Sequence, residues 1–253
     1  MRFPRPALIV LFSLSLSLGV AAQQAPQRDP QAVSLIYVSS TSMGGLAVKD
    51  IQAEYKVRIY RSDSFVEYAA VLKALGRERW RIEAQASEGT SVSVTNGLWM
   101  TTRTPSGHIE KYPSASVSEV GIWLLPFLTN VMEPSDPQLE LEYRGFDPAS
   151  AVHQIRGRRF PNDAALRAIV KPCDVYLDAI TSLPVKLVFV AHPPSNLSAD
   201  ISVEVRYAEY RSLFGLLVPT RVSYYVEGKL AGEYFLISLS PNTGLNETEF
   251  ELR

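Results

Sequence analysis

The chain has one cysteine, Cys173, so no internal disulfide can form. It has three histidines, His108, His153 and His192, and none stands in an HxxxH or HExxH spacing, so no zinc site is expected. It lacks a P-loop, a G-x-G-x-x-G and a G-x-S-x-G elbow, which leaves nucleotide binding and serine hydrolysis without a local signature. It lacks a basic surplus: 25 Lys and Arg face 26 Asp and Glu, so there is no positive field for nucleic acid. No apolar run reaches the roughly 20 residues needed to cross a bilayer as a helix. These absences together predict a protein without cofactor, without nucleic-acid partner and without catalysis.

What the chain has begins at its N-terminus. Met1 to Pro6 is short and basic, Ala7 to Val20 is apolar with interspersed serines, and Val20-Ala21-Ala22 supplies small residues before Gln23. That is the anatomy of a secretory signal peptide, cleaved near Ala22. The expected product is residues 23–253, a single domain in the periplasm or secreted. No cysteine stands directly after the apolar run, at the cleavage site, so a lipid-anchored form is not expected.

The mature chain then reads as alternating segments. Asp29-Pro30 opens a short helix to about Ser42, with Asp as N-cap, proline in the first turn and Gly44-Gly45 as the stop. Its Ala32, Leu35, Ile36 and Val38 are candidates to pack on a sheet. Asp50 to Arg61 alternates with Ile51, Ala53, Tyr55, Val57 and Ile59 on one face. Short strands follow at 65–75, 77–86, 91–95, 98–103 and 108–112, each close to its neighbour, which favours up-and-down pairing. Another pair is expected at 139–143 and 151–158, with the Arg156–Arg159 cluster as a solvated turn. The longest antiparallel pattern runs from Asp174 to Leu239. Pro184 starts one strand, Gly215 and Pro219 punctuate a connection, and Glu227-Gly228-Lys229 forms a tight hairpin. Asp174 and Asp178, four apart on one strand, are either a carboxylate pair on one face or residues at a strand edge beside a turn.

Ser116 to Met132 differs in kind. Ser116 and Glu119 form a capping box, and the following Val117 to Met132 is apolar nearly all round, which predicts a helix covered on both faces and kinked or divided at Pro126. Under it the space is either filled by a packed core or open to a ligand.

The wording "VYLDAITSLPVKLVF" at 175–189, "VEVRYAEYRSLFGLLVPTRVSYYVEGKL" at 203–230 and the closing "NTGLNETEFEL" resembles bacterial periplasmic proteins of the outer-membrane lipoprotein-sorting type, the LolA-like carriers. The resemblance covers the chain from about Asp29. It implies an α+β, mostly β fold: a curved antiparallel sheet forming an incomplete barrel, with helices capping the concave face. It implies a monomer that shields a lipid or a lipoprotein acyl chain. The candidate lining is Tyr55, Val57, Trp80, Ile82 and Trp99 from the sheet and Ile122, Trp123, Leu125 and Phe127 from the helix, which would move as a lid. The alternative is an envelope module of the same fold that contacts protein partners and carries no lipid.

Overall fold

The computed structural model describes residues 26–62, 64–96, 99–113, 122–162, 167, 170–193 and 196–252. The signal segment and the 116–119 capping box therefore lie outside the described residues.

Among the described residues thirteen strands form one antiparallel sheet. They are β1 (Asp50–Arg61), β2 (Ser64–Leu75), β3 (Arg79–Ala86), β4 (Gly89–Asn96), β5 (Trp99–Arg103), β6 (Ile109–Pro113), β7 (Leu139–Asp147), β8 (Val152–Arg159), β9 (Cys173–Asp178), β10 (Pro184–Ala191), β11 (Ile201–Leu213), β12 (Leu216–Val226) and β13 (Lys229–Pro241). Their spatial order is β6-β5-β4-β3-β2-β1-β13-β12-β11-β10-β9-β8-β7. Two meanders, β1–β6 and β7–β13, are thus joined through the β1–β13 pair. The sheet curves without closing, an incomplete barrel.

Local chemistry explains the corners. At the β9–β10 turn the Asp178 carboxylate accepts from the backbone N–H groups of Ile180 (3.1 Å) and Thr181 (2.7 Å) and from the Thr181 hydroxyl (2.8 Å). Asp178 is therefore committed to its turn. Asp174 takes a two-pronged bond from Arg156, both distances 2.8 Å, so the two aspartates serve separate structural partners. The β12–β13 hairpin turns on Glu227 (φ 48°) and Gly228 (φ 74°), the paired left-handed conformation of a tight two-residue turn. Pro219 lies inside β12, opposite Tyr210 on β11, and does not end the strand. The β12–β13 pairing begins only at Arg221, so the missing N–H of Pro219 breaks no ladder with β13. The Arg156–Arg159 cluster is likewise strand, not turn: it closes β8, where Arg156 meets Asp174 and Arg159 meets Asp136 and Glu78, each at 2.8 Å.

The helix α1 (Pro30–Ser42) is capped by the Asp29 carboxylate, which accepts from Gln31 N (2.8 Å) and Ala32 N (3.2 Å). It buries Ala32, Ile36, Ser39 and Ser40 on the concave face, with Leu35 half-buried, while Val38 points to solvent. Residues 27–29 run beside β7, with Asp29 N donating to Leu141 O (2.8 Å) and Leu141 N to Gln27 O (3.0 Å), which covers that sheet edge.

The expected helix over 116–132 is replaced, in its described part, by three 3₁₀ turns: Ile122–Leu124, Pro126–Leu128 and Asn130–Met132. Pro126 explains the division. It disfavours the α conformation in the residue before it, and Leu125 is extended (φ −121°, ψ 102°). The chain recovers with three-residue bonds, Leu128 N to Leu125 O (2.9 Å), Thr129 N to Pro126 O (3.0 Å) and Met132 N to Thr129 O (3.0 Å).

On the outer face the C-terminal segment crosses the sheet. Asp50 accepts from the Thr243 hydroxyl (2.8 Å), Thr243 N (2.6 Å) and Gly244 N (3.1 Å). Lys73 pairs with Glu249 at 2.6 Å and Arg79 with Glu247. Phe250 is buried on Val92 and Val94 of β4, flanked by Leu75, Leu245 and Leu252.

Candidate functional site

Because side chains alternate along each strand, cross-strand register lines the concave residues up in rows. The deepest row in the first meander runs Ala74, Trp80, Thr95, Met100, Tyr112 across β2 to β6. The next runs Leu72, Ile82, Ser93, Thr102, and the next Ala70, Ala84, Ser91. Facing them across the curve stand Tyr55 and Ile59 of β1, Tyr224 and Val226 of β12, and Ala231 and Tyr234 of β13.

Register shifts set this facing wall. One lies at Glu54/Tyr55, where β13 carries the extra residue Ile237 and turns it out to solvent. Another at Tyr224/Tyr225 gives β13 the extra residue Ala231, at the cavity.

Between the walls lies a cavity of about 480 Å³, roofed by Leu124. Its inner end is fully buried at Tyr55, Leu72, Trp80 and Leu124, whereas Ile59, Ala84, Ser91 and Val226 at the other end are half-buried, which marks the mouth. No Asp, Glu, Lys, Arg or His lines it among the described residues. Burial pushes the Tyr55 hydroxyl far above the usual phenol range, so it stays neutral, and it has no hydrogen-bond partner among the described residues.

The roof is anchored at several points. The Tyr207 hydroxyl donates to Trp123 O (2.8 Å), the Ser40 hydroxyl to Met132 O (2.8 Å) and Arg77 Nε to Phe127 O (3.2 Å). The Trp123 ring stacks on Phe189 with centroids 4.2 Å apart. Phe127 packs so tightly on Gly45 that a Cβ there would lie 2.5 Å from Phe127 Cβ.

Of the residues singled out from sequence, Tyr55, Trp80 and Ile82 border the cavity. Val57 shares the face of Tyr55 but is wholly buried in the core beside it. Leu125 and Phe127 are fully buried under the roof, and Trp123 is held half-buried on Phe189. Trp99 is placed outside: it is 43% exposed, with the Lys111 ammonium 5.3 Å from its ring centroid, because its neighbour Met100 takes the inward position on β5. The Ile122 side chain lies outside the described residues. The sequence reading missed Leu124 and the hydroxyl residues Ser91, Ser93, Thr102 and Thr104. The signal was present as Ser-Val-Ser-Val-Thr over 91–95, an alternation that names two faces without saying which is concave.

Among the described residues no group of three or more His, Cys, Asp or Glu converges as metal donors. His153 Nδ1 lies 3.0 Å from the Tyr143 hydroxyl across β7 and β8, and His192 Nδ1 3.0 Å from Ala199 O in the β10–β11 connection. Burial, then the neighbouring Asp174 charge, pushes the Cys173 thiol well above its ordinary range, which leaves it a poor nucleophile.

No family model and no curated protein matches this sequence. Solved structures do. A LolA superfamily protein of Nitrosomonas europaea superposes with a TM-score of 0.60 at 13% identity, covering 87% of this chain and 97% of its own. A lipoprotein-sorting protein domain of Vibrio parahaemolyticus gives 0.59 at 13% identity, with 87% and 96% covered. A DUF1329 family protein of Desulfovibrio piger gives 0.59 at 12% identity, with 87% and 97% covered. The likeness spans nearly the whole of each partner, and with the unclosed thirteen-stranded sheet it identifies this chain's architecture as the LolA-like fold.

Proposed function

We propose that the protein is a periplasmic or secreted binding protein, exported by the cleavable signal at residues 1–22, that shields an apolar chain of a lipid or lipoprotein between the sheet and its roof. One observation carries this reading: the uncharged cavity of about 480 Å³, buried at its inner end and partly exposed at its mouth, within the range of small-ligand sites. A carrier needs no chemistry beyond burial. Each CH₂ leaving water gains about 0.8 kcal/mol, so a chain of about ten such groups gains about 8 kcal/mol from burial alone. The cavity also favours this reading over a pure protein-contact module, which needs no such space.

The test is native mass spectrometry of the protein exported to a bacterial periplasm. The expected result is an intact mass beginning at Gln23 with co-purified lipid. Ala84→Trp, which fills the mouth from a half-buried position, is expected to lose the lipid, while Trp99→Ala on the outer face keeps it. A lipid-free mass with no uptake of added acyl chains would overturn the carrier reading.

A further inference from the structure

The β2–β5 wall of the cavity changes chemistry along its rows. The row that begins Leu72 and Ile82 on β2 and β3 continues as Ser93 and Thr102 on β4 and β5. The row nearer the mouth ends in Ser91, and Thr104 stands just past β5. The hydroxyls are linked: Ser93 Oγ lies 2.9 Å from Thr102 Oγ1, which lies 3.0 Å from the Tyr112 hydroxyl, and Thr104 Oγ1 lies 2.8 Å from Ser106 Oγ. A hydroxyl donates once and accepts twice. Of three positions each, Ser93 therefore retains two, and Thr102, bonded to both Ser93 and Tyr112, retains one. The opposite face of β4 is apolar, with Val92 and Val94 sealed under Phe250, so the hydroxyls are the inward choice of a strand whose valines are spent outside.

We propose that the wall formed by Ser91, Ser93, Thr102 and Thr104 receives the neutral, hydrogen-bonding head of a single-chain amphiphile, an ester or hydroxyl head of the acylglycerol type. The chain then lies along Leu72, Trp80 and Leu124 toward the buried end. This rests on the reading of the cavity as an acyl site and specifies its ligand. An anionic head fits poorly, because no cation lines the cavity among the described residues and an unpaired buried charge is costly.

The test is displacement of the fluorescent probe N-phenyl-1-naphthylamine from the delipidated protein at pH 8 by three ten-carbon competitors: monodecanoylglycerol, decanoate and decane. The glycerol ester is expected to bind about tenfold more tightly than decanoate, the scale of one or two net hydrogen bonds. Ser93→Ala with Thr102→Val is expected to weaken the ester about tenfold and leave decane unchanged. If that pair does not fold, Ser91→Ala with Thr104→Val at the mouth gives the same readout. Equal or tighter binding of decanoate, or an ester preference untouched by the variants, overturns the head-group assignment and leaves the acyl site standing. Failure of the probe and all three competitors to bind removes both.

Discussion

Phe250→Ala tests what fixes the facing of β4. Phe250 is 4% exposed and covers Val92 and Val94, both at most 5% exposed, on the outer face. Truncating a buried Phe costs about 3–5 kcal/mol. The cluster is small and lies at the surface, where the site can partly collapse, so the lower end, about 3 kcal/mol, applies. For a chain of this size each kcal/mol moves Tm by about 2–4 °C, which predicts a fall of about 6–12 °C by differential scanning calorimetry. The flanking ion pairs are half-exposed and contribute less: Glu249→Ala, which frees Lys73, is expected to cost under about 1 kcal/mol. Loss of the ring also uncovers Val92 and Val94, which weakens the preference that keeps Ser91 and Ser93 inward, so probe binding in the cavity is expected to weaken with the melt. A Phe250→Ala protein melting within about 2 °C of the parent, with binding unchanged, would refute the view that the C-terminal segment fixes the orientation of β4.

Three further predictions follow from the packing. Burial raises the Asp50 pKa, but the Thr243 hydroxyl and the backbone N–H groups of Thr243, Gly244 and Leu245 outweigh it and hold the carboxyl below its ordinary range. Its contribution is therefore present above the unfolded value of about 3.9 and is lost as pH falls through the lower folded value. Asp50→Asn is expected to cost about 1–2 kcal/mol in urea unfolding at pH 7, and the gap should narrow as pH falls below the unfolded carboxylate value; a gap that widens in acid contradicts the sign. Gly157→Ala places a Cβ against Val131 Cγ2, closer than real contacts allow, and is expected to cost about 1–3 kcal/mol; adding Val131→Ala should recover part of it in a double-mutant cycle, and purely additive losses would show that the clash is not the cause. Cys173 should stay unmodified by Ellman's reagent at pH 8 until the protein is unfolded, since its thiol is buried and its pKa raised; rapid labelling of the native protein would contradict that placement.

Much of the sheet is readable along the chain because, within each meander, every strand pairs with its sequence neighbour; the β1–β13 join and the separation of β6 from β7 at opposite edges are the exceptions. Asp50 to Arg61 shows its period of two, and the Glu227-Gly228 turn shows where the last hairpin closes. The site was only partly readable. Trp80 and Ile82 share their face with enough apolar bulk to point inward, but the short strand around Trp99 carries no pattern that says which side of β5 is concave. The roof failed for a different reason: apolar content over 122–132 signals burial, but Pro126 forbids the continuous helix that the pattern resembles, and only tertiary anchors such as Tyr207 to Trp123 O fix the alternative.

The sequence by itself determined most of the strands, the Asp178 and Glu227-Gly228 turns and the N-cap at Asp29, since these depend on residues a few positions apart: side-chain alternation, positive φ, and a carboxylate within reach of the next N–H groups. Tertiary structure decided which face of each strand is concave, because a strand has two faces of similar pattern and only its covering chooses between them. Phe250, more than 150 residues beyond β4, takes the valines outside. Leu124, from a segment broken by proline, roofs the serines and threonines left inside, and the cavity exists only where those two distant choices meet.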